Sequence, residues 1–158
     1  MSLIANRFAR MGLIVAAATT LSACGINSIP TAEENVKAKW GDVENQYQRR
    51  ADLIPNLVAT VKGFAAQEKD VLEAVTKARA SATQVTVDPN KLSDPAQLAA
   101  FDQAQGALGQ SLGRLLVTVE KYPELKSNEN FLQLQSQLEG TENRITVARR
   151  DYNPVSYT

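Results

Sequence analysis

Histidine is absent from this chain, and cysteine occurs once, at position 24. The first absence removes the commonest general base and the commonest metal ligand. The second excludes a disulfide framework and any cluster of thiolate ligands. Aromatic residues make up only 6% of the chain, so few side chains carry the bulk of a core. Charge of either sign is not in excess, with 17 basic and 17 acidic residues, and nucleic-acid binding would call for a basic surplus. No residues stand at metal-ligand spacing. Gly106, Gly109 and Gly113 lie within a helical pattern and lack the Lys-Ser/Thr pair of a phosphate loop. What remains for catalysis is carboxylate, lysine or tyrosine chemistry. We expect no cofactor, no bound metal and no enzymatic activity.

The N-terminus reads as an address rather than as fold. Arg7 and Arg10 precede an apolar run from Met11 to Leu21, followed by Leu21-Ser22-Ala23-Cys24. That run is about half of the roughly 20 residues a membrane-spanning helix needs. Leu-Ser-Ala-Cys resembles the lipobox of bacterial lipoprotein precursors. The resemblance implies cleavage before Cys24, lipidation of its thiol and acylation of the new amino terminus. Several acyl chains on one residue hold a protein stably on a membrane. An uncleaved single-pass anchor is the alternative. Residues 1–23 are thus expected to be a signal peptide and 24–30 a tether. Loss of Arg7 and Arg10 with the leader leaves 15 basic against 17 acidic residues. Gly25 behind the cysteine fits export to the outer membrane in a Gram-negative cell.

From Thr31 onward the apolar residues recur at steps of three and four, the spacing of one helix face. Thr31 and Glu34 have capping-box spacing, and Val36, Trp40, Val43, Tyr47 and Ala51 or Ile54 form a first stripe. Trp40 and Tyr47 each need a partner for their polar atom once buried. Pro55 then interrupts the pattern, since it lacks an N–H and crowds the carbonyl of Ala51. A second stripe runs through Leu57, Val61, Phe64, Glu68, Val71, Val75, Ala78 and Ala82, with Glu68 expected to reach for solvent. Residues 85–94 read as a loop, closed by an Asp94 cap and Pro95 at the first helical position. Leu98, Phe101, Gln105, Leu108, Leu112, Leu115, Val119 and Tyr122 make a third stripe. The glycines at 106, 109 and 113 on that helix are expected to admit the close approach of another backbone. After Pro123 and an Asn128 cap, Phe131, Leu134, Leu138, Thr141, Ile145, Ala148 and Tyr152 form the fourth stripe.

Four segments of roughly 30 to 40 Å joined by short connections predict an all-α, antiparallel up-and-down four-helix bundle over residues 31–153, with 154–158 as a tail. The alternative is a long first helix kinked at Pro55 above a three-helix core.

Three motifs add a family resemblance. Arg49-Arg50-Ala51-Asp52-Leu53-Ile54-Pro55-Asn56-Leu57-Val58 continues into Thr60-Val61-Lys62-Gly63-Phe64-Ala65. Residues 126–135 read Lys-Ser-Asn-Glu-Asn-Phe-Leu-Gln-Leu-Gln. They lead into Leu138-Glu139-Gly140-Thr141-Glu142-Asn143-Arg144-Ile145 and then Ala148-Arg149-Arg150-Asp151-Tyr152-Asn153. In this order and spacing they resemble the LemA family. The resemblance implies a membrane-tethered helical bundle outside the cytoplasm, with no established enzymatic activity and no known cofactor. Members often carry a transmembrane helix where this chain has a lipobox. Members also normally continue for several helical turns past the Tyr-Asn pair, whereas this sequence stops at Thr158. That difference predicts that Ile145, Ala148, Tyr152 and Val155, with Val36 and Trp40, are partly uncovered and recruit a second copy weakly.

Arg49, Arg50, Asp52, Asn56, Glu142, Asn143, Arg144, Arg149 and Arg150 are the polar residues inside these motifs. A buried or half-buried network that fixes helix register is the expected role, with a partner-binding surface second. The function expected is a lipid-anchored scaffold or interaction module for unidentified envelope proteins. A membrane-shaping oligomer and a carboxylate-dependent envelope hydrolase are the rival readings.

Overall fold

A computed structural model describes residues 28–156, with side chains described for 31–153. The leader and Cys24 lie outside the described residues, so the helical structure has no bearing on the lipobox reading. The described residues form helices without strands: α1 (Ser28–Phe64), α2 (Lys69–Gln84), α3 (Pro95–Val119), a single turn α4 (Pro123–Lys126) and α5 (Glu129–Ser156). At 1.5 Å per residue α1 is about 55 Å long and α5 about 42 Å.

Inter-helix bonds set the directions. Tyr47 and Arg50 on α1 meet Arg149 and Glu142 on α5. Arg79 on α2 reaches Ala51 on α1. Gln105 on α3 reaches Ala82 on α2, and Tyr122 just beyond α3 reaches Glu68 just before α2. Each neighbour therefore runs antiparallel to the last, the expected up-and-down bundle. Packing is closest between α1 and α5 and between α2 and α3, with α1 against α2 next.

The break falls in a different place from the one Pro55 predicts. α1 continues past Pro55 to Phe64, and the chain reverses instead at residues 65–68. Proline is tolerated because the acceptor it orphans finds another donor: Arg79 Nε donates to the Ala51 carbonyl at 2.8 Å. The reversal is pinned by side chains. Glu68 N bonds Ala65 O at 3.1 Å, while the Tyr122 hydroxyl donates to Glu68 at 2.8 Å and accepts from Gln67 at 2.9 Å. Glu68 is thus held at the corner rather than reaching for solvent. Ala65 takes the inward position there, and Phe64, expected inside, is largely exposed. The start of α1 also differs, since it begins at Ser28 and places Thr31 inside the helix. Asp94 and Asn128 do cap their helices, accepting from Ala96 N at 2.9 Å and Phe131 N at 3.1 Å.

The core has two parts along the bundle axis. Ile54, Leu57, Val61, Val75, Leu108, Leu115, Phe131 and Leu138 belong to an aliphatic-rich part toward the α1–α2 corner. Trp40, Val43, Tyr47, Val87, Phe101, Ile145 and Tyr152 form an aromatic part at the other end. There Trp40 stands edge-on to Phe101 at 5.3 Å and to Tyr152 at 5.2 Å, and Tyr47 edge-on to Phe101 at 5.1 Å. This corrects part of the expectation of an uncovered end. Trp40 is 4% exposed and Ile145 and Tyr152 are buried in one cluster with Val87 of the 85–94 loop. Val36 and Ala148 are half-buried, and Val155 lies outside the residues whose side chains are described. Exposure of Trp40 therefore supplies no reason for a second copy to bind.

Candidate functional site

Between the two parts of the core lies a layer of polar residues, one from each of three helices. Arg50 follows Tyr47 and precedes Ile54 on α1. Gln105 stands between Phe101 and Leu108 on α3, and Glu142 between Leu138 and Ile145 on α5. Arg50 is only 4% exposed, yet its guanidinium is well supplied with acceptors. Nη1 donates to Glu142 Oε1 at 2.7 Å, and Nη2 donates to Gln105 Oε1 at 2.7 Å and to the Gln105 carbonyl at 3.1 Å. Its charge also lies 5.0 Å from the centre of the Tyr47 ring. Nε is buried without an acceptor among the described residues. The Gln105 amide passes the network on by donating to Ala82 O at 3.2 Å. A buried charge is tolerable only when satisfied in this way, and these bonds tie α1 to both α3 and α5.

A second clamp lies one turn away along α1 and α3 and two turns along α5. Arg149 makes a fork to Asp102, Nη1 to Oδ1 at 2.6 Å and Nη2 to Oδ2 at 3.1 Å, and also donates to the Tyr47 hydroxyl at 2.9 Å. The bonds to Asp102 raise the pKa of Arg149 above its already high ordinary value, so this group stays charged. Tyr47 thereby finds the partner its burial requires. The Trp40 indole N–H is buried without one among the described residues.

The remaining motif residues point elsewhere. Arg49, Asn56 and Asn143 are exposed, and exposed Asp52 accepts from Gln48 on its own helix at 2.7 Å. Arg144 leans on Thr141 at 3.5 Å, and Arg150 pairs with its neighbour Asp151 at 3.5 Å. Three partners escape a reading of the motifs: Gln105, Asp102 and Arg79. Gln105 carries a signal, a polar residue inside an otherwise apolar stripe. Asp102 and Arg79 carry none, since both fall outside the motifs and off the apolar stripes of their helices.

Both clamps cross from the rest of the bundle to α3, and beside them the α3–α5 side stays open. On the aliphatic side of the layer is a groove of about 600 Å³, lined by Arg50, Gly109, Leu112, Gly113, Leu116, Gln135, Leu138, Glu139, Glu142 and Asn143. On the aromatic side a smaller recess of about 410 Å³ is lined by residues including Trp40, Leu98, Asp102, Arg149 and Tyr152. Among the described residues the glycines do not admit a neighbouring backbone: a Cβ at Gly106, Gly109 or Gly113 would meet nothing within 4 Å. That corrects the close-approach expectation. Among the described residues no group of His, Cys, Asp or Glu could hold a metal ion, and no helix is long and apolar enough to cross a membrane.

An up-and-down helical bundle with a polar layer built from these motifs defines a class of protein, and comparison with known sequences gives it a family. The model of the LemA family matches residues 39–156, and the chain belongs to that family. Among curated relatives it is similar to magnetosome protein MamQ 2 of Paramagnetospirillum magneticum, 28% identical over 148 residues that cover 84% of this chain and 54% of the relative. Magnetosome protein MamQ of Magnetospirillum gryphiswaldense is 27% identical over 152 residues, again 84% and 54% of the two chains. Protein LemA of Metamycoplasma hominis is 27% identical over 110 residues, 69% of this chain and 45% of that one. The chain thus spans about half the length of the curated relatives it matches.

Proposed function

We propose that this protein is a membrane-tethered interaction module of the bacterial cell envelope, held by a lipidated Cys24 and working by binding other envelope proteins rather than by catalysis. The observation that carries the reading is how the family motifs divide. Arg50, Thr141 and Ile145 are buried within the bundle, and Glu142 is taken up by its bond to Arg50, while Glu139 and Asn143 from the same motifs are exposed and line an open groove. Residues not consumed by folding, gathered on one open side, fit a binding surface. The Met11–Leu21 run and Leu-Ser-Ala-Cys supply the tether.

The test has two parts. Cells supplied with labelled palmitate should label the wild-type chain, and Cys24→Ala should take up none and accumulate as precursor. Crosslinking in the native envelope should then join the chain to other proteins. A wild-type chain that stays in the membrane without label defeats the lipid anchor. An envelope in which no crosslink forms defeats the interaction module.

A further inference from the structure

Of the four sides of the bundle, the one between α3 and α5 is bridged by polar clamps rather than closed by apolar packing. Its α3 wall is uncharged, and Gly109 and Gly113 leave it without side chains at the middle. Nothing inside the described chain requires glycine there: neither position has a positive φ, and a Cβ would project into open space. The opposite wall is acidic. Glu139 pairs with no cation among the described residues, only with the amide of Gln135 at 3.1 Å, and the buried Arg50 charge is already matched by Glu142. The apolar strip also continues beyond the groove. Val117 stands one turn beyond Gly113 and Leu132 one turn before Gln135, just outside the groove lining, and they are 70% and 49% exposed. Finally, Arg50 lines the groove while only 4% exposed, and its Nε–H lacks an acceptor among the described residues.

These features describe a seat for one more helix. We propose that the α3–α5 groove docks a single amphipathic helix of a partner protein. That helix presents a narrow stripe of small and aliphatic residues to Gly109, Gly113 and Leu116, and a flank of lysine or arginine to Glu139. The small stripe matches the side-chain-free wall, where two helix backbones can come close. The basic flank matches the Glu139 carboxylate and sets which way round the helix lies. This inference rests on the reading of the protein as an interaction module and names the surface and partner chemistry for it.

The probe is a fluorescein-labelled helical peptide on the order of 18 residues, five turns, with an alanine-leucine face and lysines along one flank. A matched peptide carries glutamates instead. Binding to the full lipidated chain in nanodiscs of zwitterionic lipid is read by anisotropy, with empty nanodiscs as the baseline. The lysine peptide should bind at least about tenfold more tightly than its glutamate twin, and Glu139→Lys should abolish that preference. Gly113→Leu places a bulky side chain on the groove wall, starting from a Cβ that meets nothing within 4 Å, and should weaken binding at least about tenfold, while Val147→Asp on another face should leave it unchanged. Equal binding of the two peptides, or indifference to Gly113→Leu in a variant with wild-type circular dichroism, overturns the proposal. A photoreactive side chain at Val117 in the native envelope separates the other outcomes. A crosslink to a partner segment that is helical, amphipathic and basic supports the proposal. A crosslink to another copy of this chain overturns it in favour of self-assembly. Crosslinks to other proteins from position 147 but none from 117 overturn the groove and leave the interaction module standing. Absence of crosslinks from both positions removes both.

Discussion

Arg79 and Pro55 should behave as one unit. Proline at position 55 gives the Ala51 carbonyl no helical N–H, and Arg79 Nε takes that place from α2 at 2.8 Å. Ala51 is buried, so without Arg79 water is poorly placed to take over. Stranding a buried acceptor costs about 1–3 kcal/mol. Arg79→Met keeps the stem of the side chain and removes the donor, and it should therefore cost about 2 kcal/mol. In a Pro55→Ala background the backbone N–H gained at position 55 lies one turn from the Ala51 carbonyl, and the same substitution should cost about 0.5 kcal/mol or less. Pro55→Ala by itself should be neutral to stabilising. Removing an interior proline relieves a cost of up to about 3 kcal/mol, partly offset by about 0.4–1 kcal/mol of added freedom in the unfolded chain. The coupling between the two positions is then about 1.5 kcal/mol, well above the few tenths expected for independent sites. Urea unfolding of the four proteins followed by far-UV circular dichroism measures it, provided the m-values agree. Equal losses for Arg79→Met in both backgrounds would falsify the account of why α1 survives its proline.

Three further outcomes follow from the same geometry. Gln105→Leu strands Arg50, and Arg50→Met strands Gln105, each at about 1–3 kcal/mol, so the double variant should be more stable than the sum of the singles predicts, while exposed Asn143→Ala changes stability by less than about 0.5 kcal/mol; additive losses in a double-mutant cycle would count against the layer. Gly109→Ala and Gly113→Ala meet open space and should each raise stability by up to about 1 kcal/mol, a rise in melting temperature of a few degrees, since glycine in a helix costs that much against alanine; a loss from either would mean that the backbone there is not free. The hydrogen bond to Glu68 raises the Tyr122 pKa above its usual value near 10, so the stability it contributes is fully present below that pH and is lost as pH rises through the folded value; Tyr122→Phe should be less stable than wild type at neutral pH, and the gap should narrow in strong alkali.

Most of the fold is legible in the sequence because apolar periodicity is a direct imprint of burial. Phe101, Leu108, Leu112, Leu115 and Val119, and Phe131, Leu138, Ile145 and Tyr152, lie inside as their spacing requires. The helix break is not legible, for a specific reason. Proline's effect depends on whether the orphaned carbonyl finds a donor, and the donor here comes from residue 79, 28 positions away in sequence. Local rules cannot see that distance. The corner at residues 65–68 is hidden for the converse reason: it is held by Tyr122, which belongs to the far end of α3's stripe. At the site, the motifs point to Arg50, Glu142 and Arg149 but not to which of their neighbours lie inside. Helix phase answers that once the partners are known, since Thr141 and Ile145 share a face that Asn143 does not.

The polar layer and the open side are two consequences of one arrangement. α1 carries Arg50 into the middle of the bundle, and the guanidinium takes its acceptors from α3 and α5 at once. Arg149 joins α5 to α3 in the same way through Asp102, at a point where both side chains remain accessible to water. A fork between arginine and carboxylate has a fixed reach, so these two clamps act as spacers as well as bonds. A Cβ at Gly109 or Gly113 would meet nothing within 4 Å, so alanine fits at either position without disturbing the fold. A sequence selected for stability alone would close that side, because each glycine costs about 1 kcal/mol against alanine and an exposed Val117 contributes little to the core. The glycines and the Glu139 carboxylate are therefore the residues on which the proposed docking of a partner helix at the α3–α5 side rests.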